Sequence, residues 1–172
     1  SYGTGTLNIA RGGKLVTPVV NLATKESGLG TLNIGMGESA GILEATKVEG
    51  GLGKAQVNFN HVENIDFAPS LTGSINLSHL NVGATQLTAE NDYSGETRVT
   101  AGILSAGAAD AFSKNSDFIV GTGSTLNLNG YDQTIKRLDN AGAISLGSNA
   151  GTILTVSGDY IGSGGVVNIN TV

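Results

Sequence analysis

The sequence predicts an all-β chain wound as a β-solenoid, and three observations carry that prediction. A seven-residue phrase is written twice, as Gly3-Thr4-Gly5-Thr6-Leu7-Asn8-Ile9 and Gly28-Leu29-Gly30-Thr31-Leu32-Asn33-Ile34. A blurred third copy opens at Gly51-Leu52-Gly53 and closes at Gln56-Val57-Asn58-Phe59, so that Leu7, Leu32 and Val57 follow one another at a spacing of 25. A fixed period marks a chain that stacks on itself instead of wrapping round one centre. Next, nearly every apolar stretch is short, alternates with period two and is bounded by Gly, Asn, Ser or Asp, which is the strand pattern. Finally, 27 Gly, 2 Pro, 13% charged and 5% aromatic residues suit a chain that turns often and buries aliphatic strands. That composition lacks the long charged helix formers from which amphipathic helices are built.

In chain order, the clearest strands fall at residues 6–9, 31–34, 55–59, 74–77, 125–128, 143–146, 153–156 and 166–169. Weaker ones fall at 18–22, 42–48, 62–67, 86–89, 96–100, 118–120 and 134–138, and one helical turn is expected at 107–112. In Thr6-Leu7-Asn8-Ile9, Leu and Ile share one face and Thr and Asn the other. Stacking then puts Leu7, Leu32 and Val57 in one buried column and Ile9, Ile34 and Phe59 in a second. Asn8, Asn33 and Asn58 form a column on the opposite face, either bonded along the stack or simply facing water. From Gly73 the period breaks: Ile75 follows Val57, and Ile144 follows Leu126, at a spacing of 18. Two regions are expected, regular coils over 1–90 and a closing module over 91–172 with shorter, irregular turns and more aromatics.

The net charge of −5 and the scatter of nine Lys and Arg argue against nucleic acid as a partner. With no Cys, neither disulfides nor thiolate-bound metal can hold the fold. No apolar run is long enough to cross a bilayer as a helix, and no basic-then-apolar leader opens the chain. The ending Asn168-Ile169-Asn170-Thr171-Val172 reads as a cut through a longer protein.

Two stretches resemble the passenger domains of bacterial type V autotransporters. Asn91 to Leu104 is similar to the passenger-associated strand repeat, with Tyr93, Gly95, Thr97, Val99, Gly102 and Leu104 at the matching positions and Glu96 as a departure. Leu154 to Ile169, with Gly158, Tyr160, Gly162 and Gly164 between two alternating strands, resembles the pertactin-like end of such passengers. The resemblance covers residues 91–172 well and 1–90 only in general pattern. It implies a right-handed parallel β-helix, pectate-lyase- or pertactin-like, with an irregular capping module. It also implies a bacterial cell-surface, outer-membrane or secreted location and an autochaperone role that starts the folding of the passenger. The partners it implies are the chain's own upstream coils, a downstream outer-membrane barrel and, through the upstream passenger, a host protein. Residues expected to hold the folding nucleus are Tyr93, Gly95, Val99, Gly102, Leu104, Leu126, Leu128, Tyr131, Asp132, Leu138, Leu154, Val156, Gly158 and Tyr160. Asp132 is expected to cap the turn after Leu128-Asn129-Gly130.

Signals for chemistry are weak, and no enzyme, cofactor, metal or small-molecule substrate is expected. Gly37-Glu38-Ser39-Ala40-Gly41 matches the nucleophile elbow, but a strand follows where that elbow needs a helix. His61 and Asp66 are its nearest base and orienter, and both read as surface residues. Gly50-Gly51-Leu52-Gly53-Lys54 lacks the first Gly and the Ser or Thr of a phosphate loop, and the Asp of a calcium-binding nonapeptide. Gly28-Leu29-Gly30 lacks the third Gly of a dinucleotide fingerprint. His61 and His79 could stack, yet they read as unpaired surface residues. Asp66, Asp92, Asp110, Asp117, Asp132, Asp139 and Asp159 are spread singly, whereas glycan cleavage needs acids converging on one groove. A non-catalytic stem and folding module is therefore the first reading, an adhesive or host-binding surface the second, and a glycan-cleaving enzyme a distant third.

Overall fold

The computed structural model describes residues 3–168. Parallel strands stack into a β-solenoid of about 7 turns, with no helix among the described residues. The strands are β1 (Thr4–Ile9), β2 (Lys14–Val16), β3 (Val19–Leu22), β4 (Leu29–Glu38), β5 (Ile42–Glu44), β6 (Lys47–His61), β7 (Asn64–Phe67), β8 (Ser70–His79) and β9 (Ala84–Leu87). They continue as β10 (Thr97–Val99), β11 (Ile103–Ala106), β12 (Asp117–Val120), β13 (Thr125–Asn127), β14 (Gln133–Ile135), β15 (Arg137–Asn140), β16 (Ala143–Ser145), β17 (Leu154–Val156), β18 (Tyr160–Gly162) and β19 (Val166–Asn168). One wall is a nine-stranded sheet running β1-β4-β6-β8-β10-β12-β15-β18, with β3 also paired to β6. A second is a six-stranded sheet from β7 to β19, and β2–β5 and β14–β17 make two short pairs. The long sheet crosses residue 90 unbroken.

The repeated phrase sets the register. Leu7 lies beside Leu32 and Leu32 beside Val57, while Ile9, Ile34 and Phe59 form the neighbouring column. Their alternation with Thr and Asn turns every second side chain inward, and Leu32, Ile34, Val57 and Phe59 are buried. Each such side chain stabilises the stack by about 1.5–3 kcal/mol. The Asn column is bonded: Asn33 donates to Asn8 at 2.7 Å and Asn58 to Asn33 at 2.8 Å.

Past Val57 the coil shortens, and in a different way than the apolar spacing implies. Val57 pairs with Leu77, and Ile75 pairs with Ala55. The first four residues of β6 pair with β3 and its later ones with β4, which makes this strand far longer than the 55–59 expected. Against β8, residues 51–54 form a bulge between the pairs Gly50–Gly73 and Ala55–Ile75, and Gly73 takes φ +74°. The later 18-residue step is present, since Leu126 lies beside Ile144. The helical turn expected at 107–112 is an irregular loop in which Asp110 takes φ +52°. The strand expected at 134–138 is two strands, β14 and β15, separated by Lys136. Strands β2, β11 and β18 are too short to show as alternation. Residue 169, which ends the last expected strand, and the tail to 172 lie outside the described residues.

Candidate functional site

The passenger-like motif in the second half builds a dry seam across several rungs. Tyr93, Val99, Leu104, Leu126, Leu128 and Leu138 are buried. Leu104, Leu126 and Ile144 stack in the six-stranded wall. Gly102 takes φ +64°, and a Cβ there would run into the carbonyl oxygens of Asn81 and Gly83. Gly95 is needed for a different reason: a Cβ would meet the carbonyl oxygen of Ile75 in the rung before it. Leu154 and Val156 pack against the core from the last complete rung and are half-buried. Tyr131 and Tyr160, grouped with the anchors by their size, are 40% and 53% exposed, and Gly158 is exposed as well. Tyr131 sits on a corner, and Tyr160 lies beside Leu138 in β18, the last strand of the long wall among the described residues. Asp132 caps, but not the turn after Leu128: its carboxylate accepts the N–H of Ile153 from the next rung at 2.8 Å.

Buried polar groups join successive rungs at the corner where strands are missing. The Asn91 amide oxygen accepts the Leu71 N–H at 2.6 Å, and its nitrogen donates to the carbonyls of Ala111 at 2.6 Å and Ala89 at 2.9 Å. One side chain thus ties three rungs. Gln133 repeats the device two rungs on, accepting the Phe112 N–H at 2.8 Å and donating to the Ala108 carbonyl at 2.7 Å. Such bonds stand in for the ladder that backbone groups would otherwise lack. Beside them runs a hydroxyl chain. Ser116 donates to the Gly95 carbonyl at 2.6 Å, so it accepts from Thr97 at 2.8 Å, and Thr97 in turn accepts from Tyr93 at 2.6 Å. Burial holds the Tyr93 phenol well above its ordinary range, against the opposing bonds to Thr97 and Ser116. Thr97 stands at a matching position of the strand repeat, whereas Asn91, Gln133 and Ser116 do not announce themselves as functional in the sequence. The available signal is that alternation puts Asn91 on the face of Tyr93 and Gln133 on the face of Ile135, both buried.

The elbow-like segment does not assemble a triad. Ser39 and Asp66 are exposed, whereas His61 is buried with both ring nitrogens engaged. Its Nδ1–H donates to the Glu63 carbonyl at 3.0 Å, and Nε2 accepts from the Thr85 hydroxyl at 2.7 Å. The two histidines are therefore not surface residues. His79 also lies in the core, in the column of Phe59 and Val99, with its ring centroid 5.7 Å from that of His61. Among the described residues no three His, Asp or Glu side chains gather closely enough to hold a metal ion. The acids are less scattered than their spacing suggests: Glu90, Asp92 and Asp110 line one hollow of about 390 Å³ with Lys114.

The outer surface carries a further feature at the corner after the long wall. Met36, Val62, Leu80 and Val82 are exposed there. Asn81 ties the three turns that bear them, donating to the Gly37 carbonyl and to Asn60, each at 3.3 Å.

No protein-family model matches the chain, and no solved structure matches it significantly. Three proteins are similar to parts of it. The uncharacterized lipoprotein YdeK of Escherichia coli is 37% identical over 137 residues, 72% of this chain and 10% of that protein. The uncharacterized protein YuaQ of the same organism is 28% identical over 117 residues, 67% of this chain and 8% of that protein. The adhesin BmaC autotransporter of Brucella suis is 42% identical over 66 residues, 38% of this chain and 2% of that protein. The chain spans a tenth or less of the length of these relatives. It is a partial homologue of an autotransporter adhesin, and its solenoid fits a passenger domain.

Proposed function

We propose that this chain is a non-catalytic stretch of an autotransporter passenger, displayed at the bacterial surface, and that residues 91–172 act as its autochaperone. The observation that carries this reading is the bonding at the corner: Asn91, Gln133 and Asp132 each fasten one rung to the next. The first turns of a parallel solenoid are the hard ones to form, since an isolated strand pair is marginal and parallel pairing is slow. Side chains that bond two or three rungs at once lower that barrier locally. Later rungs then add by stacking on a finished edge. A chain arriving outside the outer membrane, carboxy-terminal end first, would be drawn forward by such growth. Its partners in this reading are its own upstream coils and a downstream barrel.

The test is to express residues 91–172 and 1–90 separately and unfold each in denaturant. The reading expects a cooperative transition for 91–172 and slow or incomplete folding for 1–90. A disordered 91–172 beside a folded 1–90 would overturn it.

A second reading, an adhesive surface, is favoured by the exposed corner of Met36, Val62, Leu80 and Val82 and by the adhesin among the relatives. It expects that Val62→Ser with Val82→Ser in the full-length protein lowers attachment of displaying cells without loss of surface display. Unchanged attachment would remove it.

A further inference from the structure

The most unusual group in the core is the pair His61 and His79. Both side chains are fully buried, and their rings meet edge to face in an aromatic pocket with Phe59 and Phe67. The hydrogen bonds fix both tautomers. His79 Nδ1–H donates to the Ala101 carbonyl at 2.8 Å, which leaves Nε2 as a bare acceptor, and no partner reaches it. His61 differs, because its Nε2 meets the Thr85 hydroxyl, which can turn to accept a hydrogen bond from a protonated ring.

We propose that His61 and His79 form an acid-operated release in the middle of the rod, in which proton uptake by the pair destabilises the rungs built by β6 to β9. A proton on His79 Nε2 would create an N–H with no acceptor, facing a second ring that burial also disfavours as a cation. The surroundings offer little compensation. Glu63 lies 4.0 Å from His61 Nδ1, and its carboxylate already accepts the N–H groups of Ala40 and Val62. Glu38, beside His61 on β4, is exposed and paired with Arg11. Asp66 on β7 is exposed, β9 carries no charged residue, and Arg98 on β10 is paired with Glu96. Burial pulls His79 down to about 4 against the bond to Ala101, and lowers His61 against the pull of Glu63. A histidine that stays neutral when folded but takes a proton near 6.5 when unfolded loses stability as pH falls between those values.

The test is urea unfolding of the full chain at pH 7.5 and 5.0, in the wild type and in His79→Leu, which keeps the column apolar. The wild-type unfolding constant should rise at least about 30-fold on acidification, the linkage of His79 alone. The rise in His79→Leu should be at least tenfold smaller. Equal rises in both proteins would overturn the proposal. Should the variant fail to fold, imidazole NMR of the wild type decides: His79 should remain the neutral Nδ1–H tautomer at pH 5, and titration near 6.5 would refute the assignment.

Discussion

Replacing Asn91 with Ala removes the bonds that tie three rungs and leaves two buried backbone groups unpaired, the N–H of Leu71 and the carbonyl of Ala111. Asn91 is only 5% exposed, so solvent is poorly placed to replace them. Each unpaired group costs about 1–3 kcal/mol, giving a loss of about 4 kcal/mol for the pair. That is a large share of the ~5–15 kcal/mol by which a domain is stable. Asn91→Asp gives a sharper version. The carboxylate still accepts from Leu71 but faces the Ala89 and Ala111 carbonyls, to which Asn donates. Ionisation in that place is disfavoured, so the folded variant holds its proton to higher pH than the unfolded chain, where Asp titrates near ~3.9. Relative to wild type, its stability is therefore greatest at acid pH and falls as pH rises through the folded-state value. Both variants are read by urea unfolding, the Asp variant at pH 3 and pH 7 relative to wild type. An Ala variant within about 1 kcal/mol of wild type would refute the view that this side chain carries the inter-rung bonding. So would an Asp deficit that does not change with pH.

Leu126→Ala, at a fully buried position between Leu104 and Ile144, should cost about 3–5 kcal/mol in the same assay, the range for cavities in a packed core. Gly102→Ala should cost at least about 2 kcal/mol, because φ +64° and two carbonyl contacts both oppose a side chain, and Asn there should be no better tolerated. Alkaline titration followed by tyrosinate absorbance should show Tyr93, which is fully buried, ionising only as the fold opens. Spin labels at Asn8 and Arg98, four rungs apart in one column, should lie about 19 Å apart, and at Asn8 and Asp139 about 29 Å apart.

The columns of Leu7, Leu32 and Val57 are legible in the chain because a repeated phrase carries its own register. The shorter coil after Gly73 is not, since β6 divides its pairing between β3 and β4, and only that division decides that residues 51–54 bulge. His79 reads as a surface residue because polarity is a guide to exposure on average, whereas its place in the stack is dictated by Phe59 and Val99 on either side. Tyr160 misleads in the opposite direction: it pairs with the buried Leu138, yet in β18 it is exposed. The bonding of Asn91 and Gln133 depends on backbone groups from neighbouring rungs, which no local window contains. Three of the acids share a hollow for the same reason, being gathered from different turns.

The order in which rungs form is the most direct test of a folding template at the carboxy-terminal side. Pulse-labelling hydrogen exchange during refolding of the full chain measures it. Amides of β10 to β16 should gain protection first, and those of β1 to β6 only afterwards. Protection that begins in β1 to β6, or arises in all rungs at one rate, would contradict the template.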